Sequence, residues 1–311
     1  MKISIIGAGN VGGLTAMRLV EAGFGDIVLV DVAKGLAQGK VFDLEDAGSI
    51  LKYNYRIQGT DDIESVKNSD IIIITAGFAR RPGMSREDLL NKNAQILKDV
   101  CLVIKKISGQ SIVIVVTNPL DLMTYLALKI TGFKSNKIFG MGGGLDVARF
   151  TNLISRELNI PATDIEACVI GSHGEGMLPL PRFTTVKGVE LNELLEDEKI
   201  KVLNKKILER GQEIVSLLGS GSAYFAPSQA ITTMVKIIVK DEKRIIGVST
   251  YLNGEYGIKD ICIGVPCRLG KEGVENIVEL DLNKEERKLF LESVESIRKN
   301  IKLIKPFCHG L

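Results

Sequence analysis

Two histidines occur in the chain of 311 residues, and they stand in different surroundings. His173 follows an apolar run, in the polar turn 172–175, whereas His309 lies in the C-terminal tail. Imidazole has an unperturbed pKa of about 6.5, so it can both accept and return a proton near neutral pH. We therefore predict that His173 is a general acid/base, with a structural, hydrogen-bonded histidine as the alternative. His309 is predicted to lie on the surface.

Asp146 and Arg149 are three residues apart in a segment whose apolar pattern predicts a helix. Side chains at this spacing share one face of a helix. The residues alone favour an ion pair exposed to solvent. A planar guanidinium can also hold a carboxylate through two parallel hydrogen bonds, which a lysine cannot do.

Three arginines, Arg80, Arg81 and Arg86, lie between a predicted strand and a predicted helix. A solvated basic loop is the commoner explanation for such a segment. However, loops at the carboxyl ends of parallel strands are where α/β sheets bind their ligands. A site for an anionic substrate is therefore the functional alternative.

The segment Gly7-Ala-Gly-Asn-Val-Gly12 follows a predicted strand and begins a predicted helix. Glycines at this spacing permit a tight turn, close approach of backbone to a pyrophosphate and close packing of helix on strand. The helix N-terminus then offers unpaired N–H groups to the anion. Asp31 ends the next predicted strand, where a carboxylate can bind the ribose hydroxyls of a dinucleotide. Because a carboxylate there repels a 2′-phosphate, we predict NAD rather than NADP; a plain glycine-rich turn is the alternative.

The first half of the chain alternates short apolar runs with helical patterns, which is typical of a parallel sheet covered on both faces. The predicted strands are 2–6, 27–30, 70–75 and 111–116, and the predicted helices are 11–22 and 85–105. Ser85 and Asp88 are predicted to cap the second helix. We predict an α/β fold with an N-terminal Rossmann doubly wound parallel sheet over residues 1–142. A C-terminal α+β catalytic domain is predicted over residues 143–311.

The second half is predicted to contain a helix over 146–158 and a strand over 166–171 that leads to His173. Two further strands, 245–252 and 256–268, are predicted to pair around the turn Asn253-Gly254. The final helix is predicted to have Asn283 and Glu286 as its cap and one buried stripe. That stripe consists of Phe290, Val294, Ile297, Ile301 and Ile304.

The composition argues against several classes of function. Forty basic and 38 acidic residues give a net charge of +2, too small for nucleic acid as the main partner, and tryptophan is absent. No apolar run approaches the roughly 20 residues of a membrane span, so we expect no membrane partner. Five scattered cysteines and two histidines disfavour a disulfide framework and a metal site. We expect free thiols, buried at Cys262 and Cys267, and a cytoplasmic protein.

Several motifs resemble, in matching order, those of the lactate/malate dehydrogenase family: Gly7–Gly12, Asp31, Thr117–Asp121, Leu145–Phe150 and Gly171–Glu175. The resemblance covers essentially the whole chain. It is closest to the malate dehydrogenases that resemble lactate dehydrogenases, whose loop is similar to Arg80–Arg86. It implies reversible NAD-dependent oxidation of (S)-malate to oxaloacetate by hydride transfer, with a histidine as general acid/base.

The resemblance implies roles for individual residues. Asp146 would hold the imidazole of His173, and Arg149 would bind the C1 carboxylate. Residues 80–86 would form a lid that excludes water, with Arg86 polarising the ketone oxygen. Further contacts with the substrate are implied for Asn118 and Ser222. The contacts implied with the cofactor are those of Gly7, Gly9, Asn10, Val11, Gly12, Asp31, Thr75, Gly77, Asn93, Val116 and Asn118.

Arg80 is the residue from which we predict the substrate. Lactate dehydrogenases carry a neutral glutamine at this point of the loop, whereas malate dehydrogenases carry an arginine. A fixed positive charge there would bind the second carboxylate of a dicarboxylate, and losing such a pair costs about 1.5–3 kcal/mol. Arg81 is assigned to solvent, and a register error of one would exchange the two arginines.

Other interpretations stay open. Asn118-Pro119 before an apolar helix is also the pattern of an N-cap followed by proline. A lactate dehydrogenase with the same mechanism, or a non-catalytic nucleotide-binding protein of this fold, would be the alternative functions. The resemblance suggests a homotetramer or homodimer. Residues 141–144, Ser172 and Glu175 depart from the family's usual residues, which leaves local backbone flexibility and the pH optimum open.

Overall fold

The computed structural model describes residues 1–78 and 86–308, except for the side chain of Arg86. Residues 79–85 and 309–311 lie outside the described residues. The predictions for Arg80, Arg81, Ser85 and His309 therefore fall outside the structure.

The described part of the N-terminal half alternates strands and helices, as predicted. The strands are β1 (Lys2–Ile6), β2 (Asp26–Val30), β3 (Ile57–Thr60), β4 (Ile71–Ile74), β5 (Ile112–Val115) and β6 (Ile138–Gly140). The helices are α1 (Asn10–Glu21), α2 (Leu36–Ile50), α3 (Arg86–Ile107) and α4 (Leu120–Thr131). Each predicted strand and helix of this half is confirmed to within two residues at both ends. The sequence analysis missed β3, β6 and α2.

The strands of this half pair in parallel in the order β3-β2-β1-β4-β5-β6. This is the strand order of a dinucleotide-binding Rossmann sheet, so the predicted fold is confirmed. β4 and β5 are buried along their whole length, as expected of strands covered by helices on both faces. The winding direction reverses between β1 and β4, and ligands of such sheets bind at the carboxyl ends of the strands there.

The second half combines short strands with helices, as the predicted α+β character requires. Its strands are β7 (Ile165–Glu166), β8 (Val169–Gly171), β9 (Met177–Pro179), β10 (Thr185–Val186), β11 (Val189–Glu190), β12 (Arg244–Asn253), β13 (Lys259–Gly270) and β14 (Gly273–Ile277). Its helices are α5 (Gly143–Leu158), α6 (Leu191–Leu194), α7 (Asp197–Leu218), α8 (Phe225–Val239) and α9 (Lys284–Cys308). Strands β12, β13, β8 and β9 extend the Rossmann sheet beyond β6 through antiparallel pairs.

Two predicted details of this half are wrong. The predicted strand 166–171 is divided, because β7 joins a small separate sheet with β10 and β11 while β8 joins the large sheet. β12 and β13 pair in antiparallel fashion as predicted, but not around a two-residue turn. A 3₁₀ turn, Glu255–Gly257, connects them, and Tyr256 within it has a φ of 55°.

The cap and the stripe of α9 are confirmed. Asn283 Oδ1 accepts hydrogen bonds from the backbone N–H groups of Glu285 and Glu286, and Glu286 Oε2 accepts one from the N–H of Asn283. The five predicted stripe residues are buried. None of the helices described in 1–78 and 86–308 is both long and apolar enough to cross a membrane.

Candidate active site

His173 lies just beyond β8, where a buried carboxylate holds its ring. Its Nδ1 is 2.8 Å from Oδ2 of Asp146, which is only 2% exposed. Burial lowers the pKa of His173, but the charge and hydrogen bond of Asp146, with the charge of Asp121, outweigh burial and hold that pKa above its ordinary value. The imidazole can therefore take up and release a proton near neutral pH.

The start of α5 determines how close Asp146 comes to the histidine. The N-cap of this helix is Gly142, four residues before Asp146 and one residue after Met141. A Cβ at Gly142 would lie 3.2 Å from the Cβ of His173 and 2.5 Å from Cδ2 of Leu120. The absence of a side chain at Gly142 thus lets the start of this helix lie close to the histidine.

Arg149 lies one turn after Asp146 on α5, and its Nη1 is 3.5 Å from Asp146 Oδ1. The side chain of Arg149 is 13% exposed, so the pair is not the solvated ion pair that the spacing alone favoured. Burial lowers the pKa of Arg149, with the nearby charge of Arg210 acting in the same direction. Within residues 1–78 and 86–308, the ion pair of Arg149 is this long contact with Asp146, so the mostly buried guanidinium can still bind an anionic ligand.

The glycine loop has the geometry that the sequence predicts. Gly7 has a φ of 107°, which favours glycine, and a Cβ at Gly12 would lie 1.9 Å from the carbonyl oxygen of Gly7. Gly9 is the N-cap of α1, and no side chain caps this helix. The first turn, which begins with Asn10 and Val11, contains no acidic residue. A Cβ at Gly9 would meet nothing within 4 Å, so there is open space beside the helix N-terminus. These residues fit a dinucleotide pyrophosphate.

Asp31 follows β2 at the same edge of the sheet. Its Oδ2 accepts a hydrogen bond of 2.6 Å from the N–H of Ala8, and its Oδ1 accepts one of 2.9 Å from the N–H of Ala33. Each carboxylate oxygen keeps a second lone pair for a ribose hydroxyl. The sequence analysis missed Lys40 of α2, whose Nζ donates to the carbonyl oxygen of Gly9 and adds positive charge beside the loop. No sequence pattern predicted this contact, because Lys40 is 31 residues from Gly9 and only the fold brings them together.

Thr75 and Asn93 support the loops of this edge. Thr75 Oγ1 donates to the carbonyl oxygen of Gly7. Asn93 is 1% exposed, and its amide bonds to the backbone of both Phe78 and Asn118. Asn93 therefore ties two loops together from below the protein surface, and its predicted contact with a cofactor stays a prediction.

Asn118 is exposed after β5, so its side chain is accessible at the site. The alternative interpretation of Asn118 as the N-cap of α4 is wrong, because Pro119 occupies that position and no side chain caps the helix. Val116 directly follows β5, and Gly77 lies three residues after the end of β4. Ser222 is exposed in the segment between α7 and α8.

The sequence analysis missed two buried residues, Asp121 and Ser249. Asp121 Oδ2 accepts a hydrogen bond from the backbone N–H of His173, and its Oδ1 accepts one from the hydroxyl of Ser249. Asp121 was noted as part of a motif, Thr117–Asp121, but it received no role. The sequence offered one indication of such a role, since Asp121 is a carboxylate among the apolar residues of the predicted helix that follows Pro119. Ser249 carried no signal at all.

Known proteins resemble this chain over almost its whole length. A family model described as lactate/malate dehydrogenase, NAD binding domain, matches residues 1–140, and one described as lactate/malate dehydrogenase, alpha/beta C-terminal domain, matches residues 144–308. A malate dehydrogenase of Methanosarcina mazei is 50% identical over 301 residues, which is 97% of this chain and 98% of that protein. One of Roseiflexus castenholzii is 46% identical over 304 residues, 98% of each chain.

Solved structures of two kinds of enzyme share the fold. The malate dehydrogenase of Picrophilus torridus in its apo form has a TM-score of 0.94 and 42% identity, with 98% of both chains covered. The lactate dehydrogenase of Eimeria maxima with NADH and oxamate has a TM-score of 0.95 and 38% identity, with 98% of this chain and 94% of that chain covered. The backbone alone therefore does not distinguish the two substrates.

Proposed function

The chain belongs to the lactate/malate dehydrogenase family, and we propose that it interconverts (S)-malate and oxaloacetate with NAD as cofactor. The observation that carries this proposal is the buried constellation of His173, Asp146 and Arg149 at the edge of the sheet that also bears the glycine loop. The choice of malate is supported by malate dehydrogenases with 46–50% identity over nearly the whole chain.

The roles in this proposal follow from the contacts. Arg149 binds the C1 carboxylate, and neutral His173 accepts the proton of the substrate hydroxyl. Asp146 stabilises the resulting imidazolium through its bond to Nδ1, which also leaves Nε2 for the substrate. NAD, when bound, would supply the acceptor for the hydride that leaves C2 of malate. In the opposite direction, protonated His173 returns its proton to the oxygen that develops negative charge.

We assign four more side chains to the substrate within this proposal. Arg80 binds the second carboxylate and Arg86 polarises the ketone, but the structure does not describe these side chains. Asn118 is exposed beside the site and donates a hydrogen bond to the substrate. Ser222 lines the pocket from the segment before α8. Thr75, Gly77 and Val116 face the cofactor in the same proposal.

The test compares NADH consumption with oxaloacetate and with pyruvate. We expect a preference for oxaloacetate, and an Arg80→Gln variant should lose about ten- to a hundredfold of that preference. An Arg81→Gln variant is the matched control and should retain it. A pyruvate preference in the unmodified protein would instead identify a lactate dehydrogenase. NADH binding without consumption of either keto acid would identify a non-catalytic protein.

We also propose a homo-oligomer, a dimer or a tetramer, in the cytoplasm. Exposed apolar side chains on and just after α2 support the oligomer, among them Phe42 at 65% and Ile50 at 83% exposure.

Five free cysteines, of which Cys262 and Cys267 are buried as predicted, support a reducing compartment. Cell fractionation tests the cytoplasmic location. Sedimentation equilibrium of the purified protein tests the homo-oligomer, which a monomer would contradict.

A further inference from the structure

The backbone of the turn that carries His173 is held by side chains from two distant parts of the chain. The N–H of Ser172 donates to Oγ of Ser293 in α9, at 2.9 Å. The next N–H, that of His173 itself, donates to Oδ2 of Asp121 in α4, also at 2.9 Å. Consecutive backbone groups are therefore fixed from two sides of the turn.

Asp121 is in turn fixed by β12. Its second oxygen, Oδ1, accepts a hydrogen bond of 2.6 Å from the hydroxyl of Ser249. Asp121 is 5% exposed and Ser249 is 1% exposed, so both groups are shielded from water. The chain of bonds from Ser249 through Asp121 to the backbone of His173 thus crosses the interior of the protein.

A carboxylate is a costly choice for this position. Burial raises the pKa of Asp121 to about 6, against the hydrogen bonds from Ser249 and His173, which lower it. An asparagine could accept from the same N–H and donate to the same hydroxyl without a buried charge. Since an uncharged side chain of the same shape could make both hydrogen bonds, the negative charge itself indicates a use at the site.

The charges around His173 indicate what that use is. Asp146 and Arg149 face it from α5, and Asp121 faces it from α4. The thiol of Cys262 in β13 also lies near Asp121, but burial raises its pKa well above the ordinary value, so it stays neutral. Arg149 opposes a positive charge on the imidazole, and two carboxylates favour it.

We propose that Asp121, supported by Ser249, is a positioning residue that orients the backbone of His173 and acts as the second carboxylate that stabilises its protonated ring. Asp146 bonds to Nδ1 of the His173 ring. Asp121 instead bonds to the backbone N–H of His173, and its charge favours the protonated ring. The catalytic consequence rests on the function proposed above. The effect on the imidazole itself does not depend on it.

Because the chain has two histidines, the titration of His173 can be measured directly. The protein is labelled with ¹³C-histidine, and the ring resonance of His173 is assigned with a His309→Gln variant. Its titration is then recorded without substrate or cofactor. We expect Asp121→Asn to lower the pKa of His173, and Ser249→Ala to lower it less, since the carboxylate remains. Ser293→Ala is the matched control, because it removes a hydrogen bond to the same turn without removing a charge.

An unchanged His173 titration in Asp121→Asn would overturn the proposal. If that variant did not fold, Ser249→Ala would decide, and an unchanged titration there would overturn the proposal equally. A pKa lowered to the same extent in Ser293→Ala would also overturn it, because the effect would then come from loosening of the turn. In a protein that turns over malate, Asp121→Asn should lower kcat with little change in KM, because it weakens the general acid/base and not the binding of substrate. A protein inactive on both keto acids would contradict the proposed function but leave the titration result valid.

Discussion

Nδ1 of His173 and Oδ2 of Asp146 lie 2.8 Å apart, although 27 residues separate them in the chain. One belongs to the turn after β8 and the other to the first turn of α5. The bond leaves Nε2 as the ring atom that can exchange a proton with a ligand. The following predictions depend on this arrangement and on the groups around it.

Replacing Asp146 by asparagine should remove the main support of the protonated imidazole. We expect kcat for malate oxidation to fall by at least about a hundredfold, which is within the usual contribution of general acid/base catalysis. Steady-state kinetics measures this loss, and NADH fluorescence should show that cofactor binding is retained. Asp26→Asn is the matched control, because Asp26 is 58% exposed in a surface ion pair. Equal losses in both variants would contradict the assignment.

The pH dependence should differ in sign between the two directions. Malate oxidation needs neutral His173, so its kcat/KM should rise with pH and level off above the pKa of that residue. Because the pKa of His173 is raised, the rise should occur above the ordinary value of about 6.5. Oxaloacetate reduction needs the protonated ring and should decline over the same range. Rates measured in both directions from about pH 5 to about pH 9 test this. Two profiles of the same sign would contradict it.

Arg149→Lys should keep the charge at the substrate site but lose the planar pair of donors. We expect kcat/KM for oxaloacetate to fall by about ten- to a hundredfold, since a hydrogen bond to a charged group contributes about 1.5–3 kcal/mol. NADH affinity should change little. Arg156→Lys, on the same helix but exposed, is the matched control. Wild-type kinetics in Arg149→Lys would exclude bidentate binding of the substrate by this residue.

Asp31→Asn should change the choice of nucleotide. The amide keeps much of the shape but loses the charge that repels a 2′-phosphate, and it accepts hydrogen bonds through one oxygen instead of two. We expect weaker binding of NADH, by about tenfold, and a higher ratio of NADPH to NADH efficiency. Fluorescence titration with both nucleotides measures the change. Asp61→Asn, at an exposed position, serves as the control. An unchanged ratio would show that Asp31 does not select the nucleotide.

The sequence by itself determined the local features of this protein. The Rossmann half, the glycine loop and the capped final helix could be predicted because each is encoded by residues close together in the chain. The division of 166–171 between two sheets could not be predicted, because it depends on which other strands β7 and β8 pair with in the folded protein.

Tertiary structure alone decided how the site is supported. Asp121 meets the backbone of His173 from 52 residues away, and Ser249 meets Asp121 from 128 residues away. No periodic sequence pattern predicts such contacts, because they depend on which strands and helices become neighbours in the folded protein. The same reason explains why Asp146 and Arg149 differ from the prediction, since their spacing in the sequence indicates an ion pair exposed to solvent. Packing of α5 against the turn of His173 buries that pair and makes it part of the site.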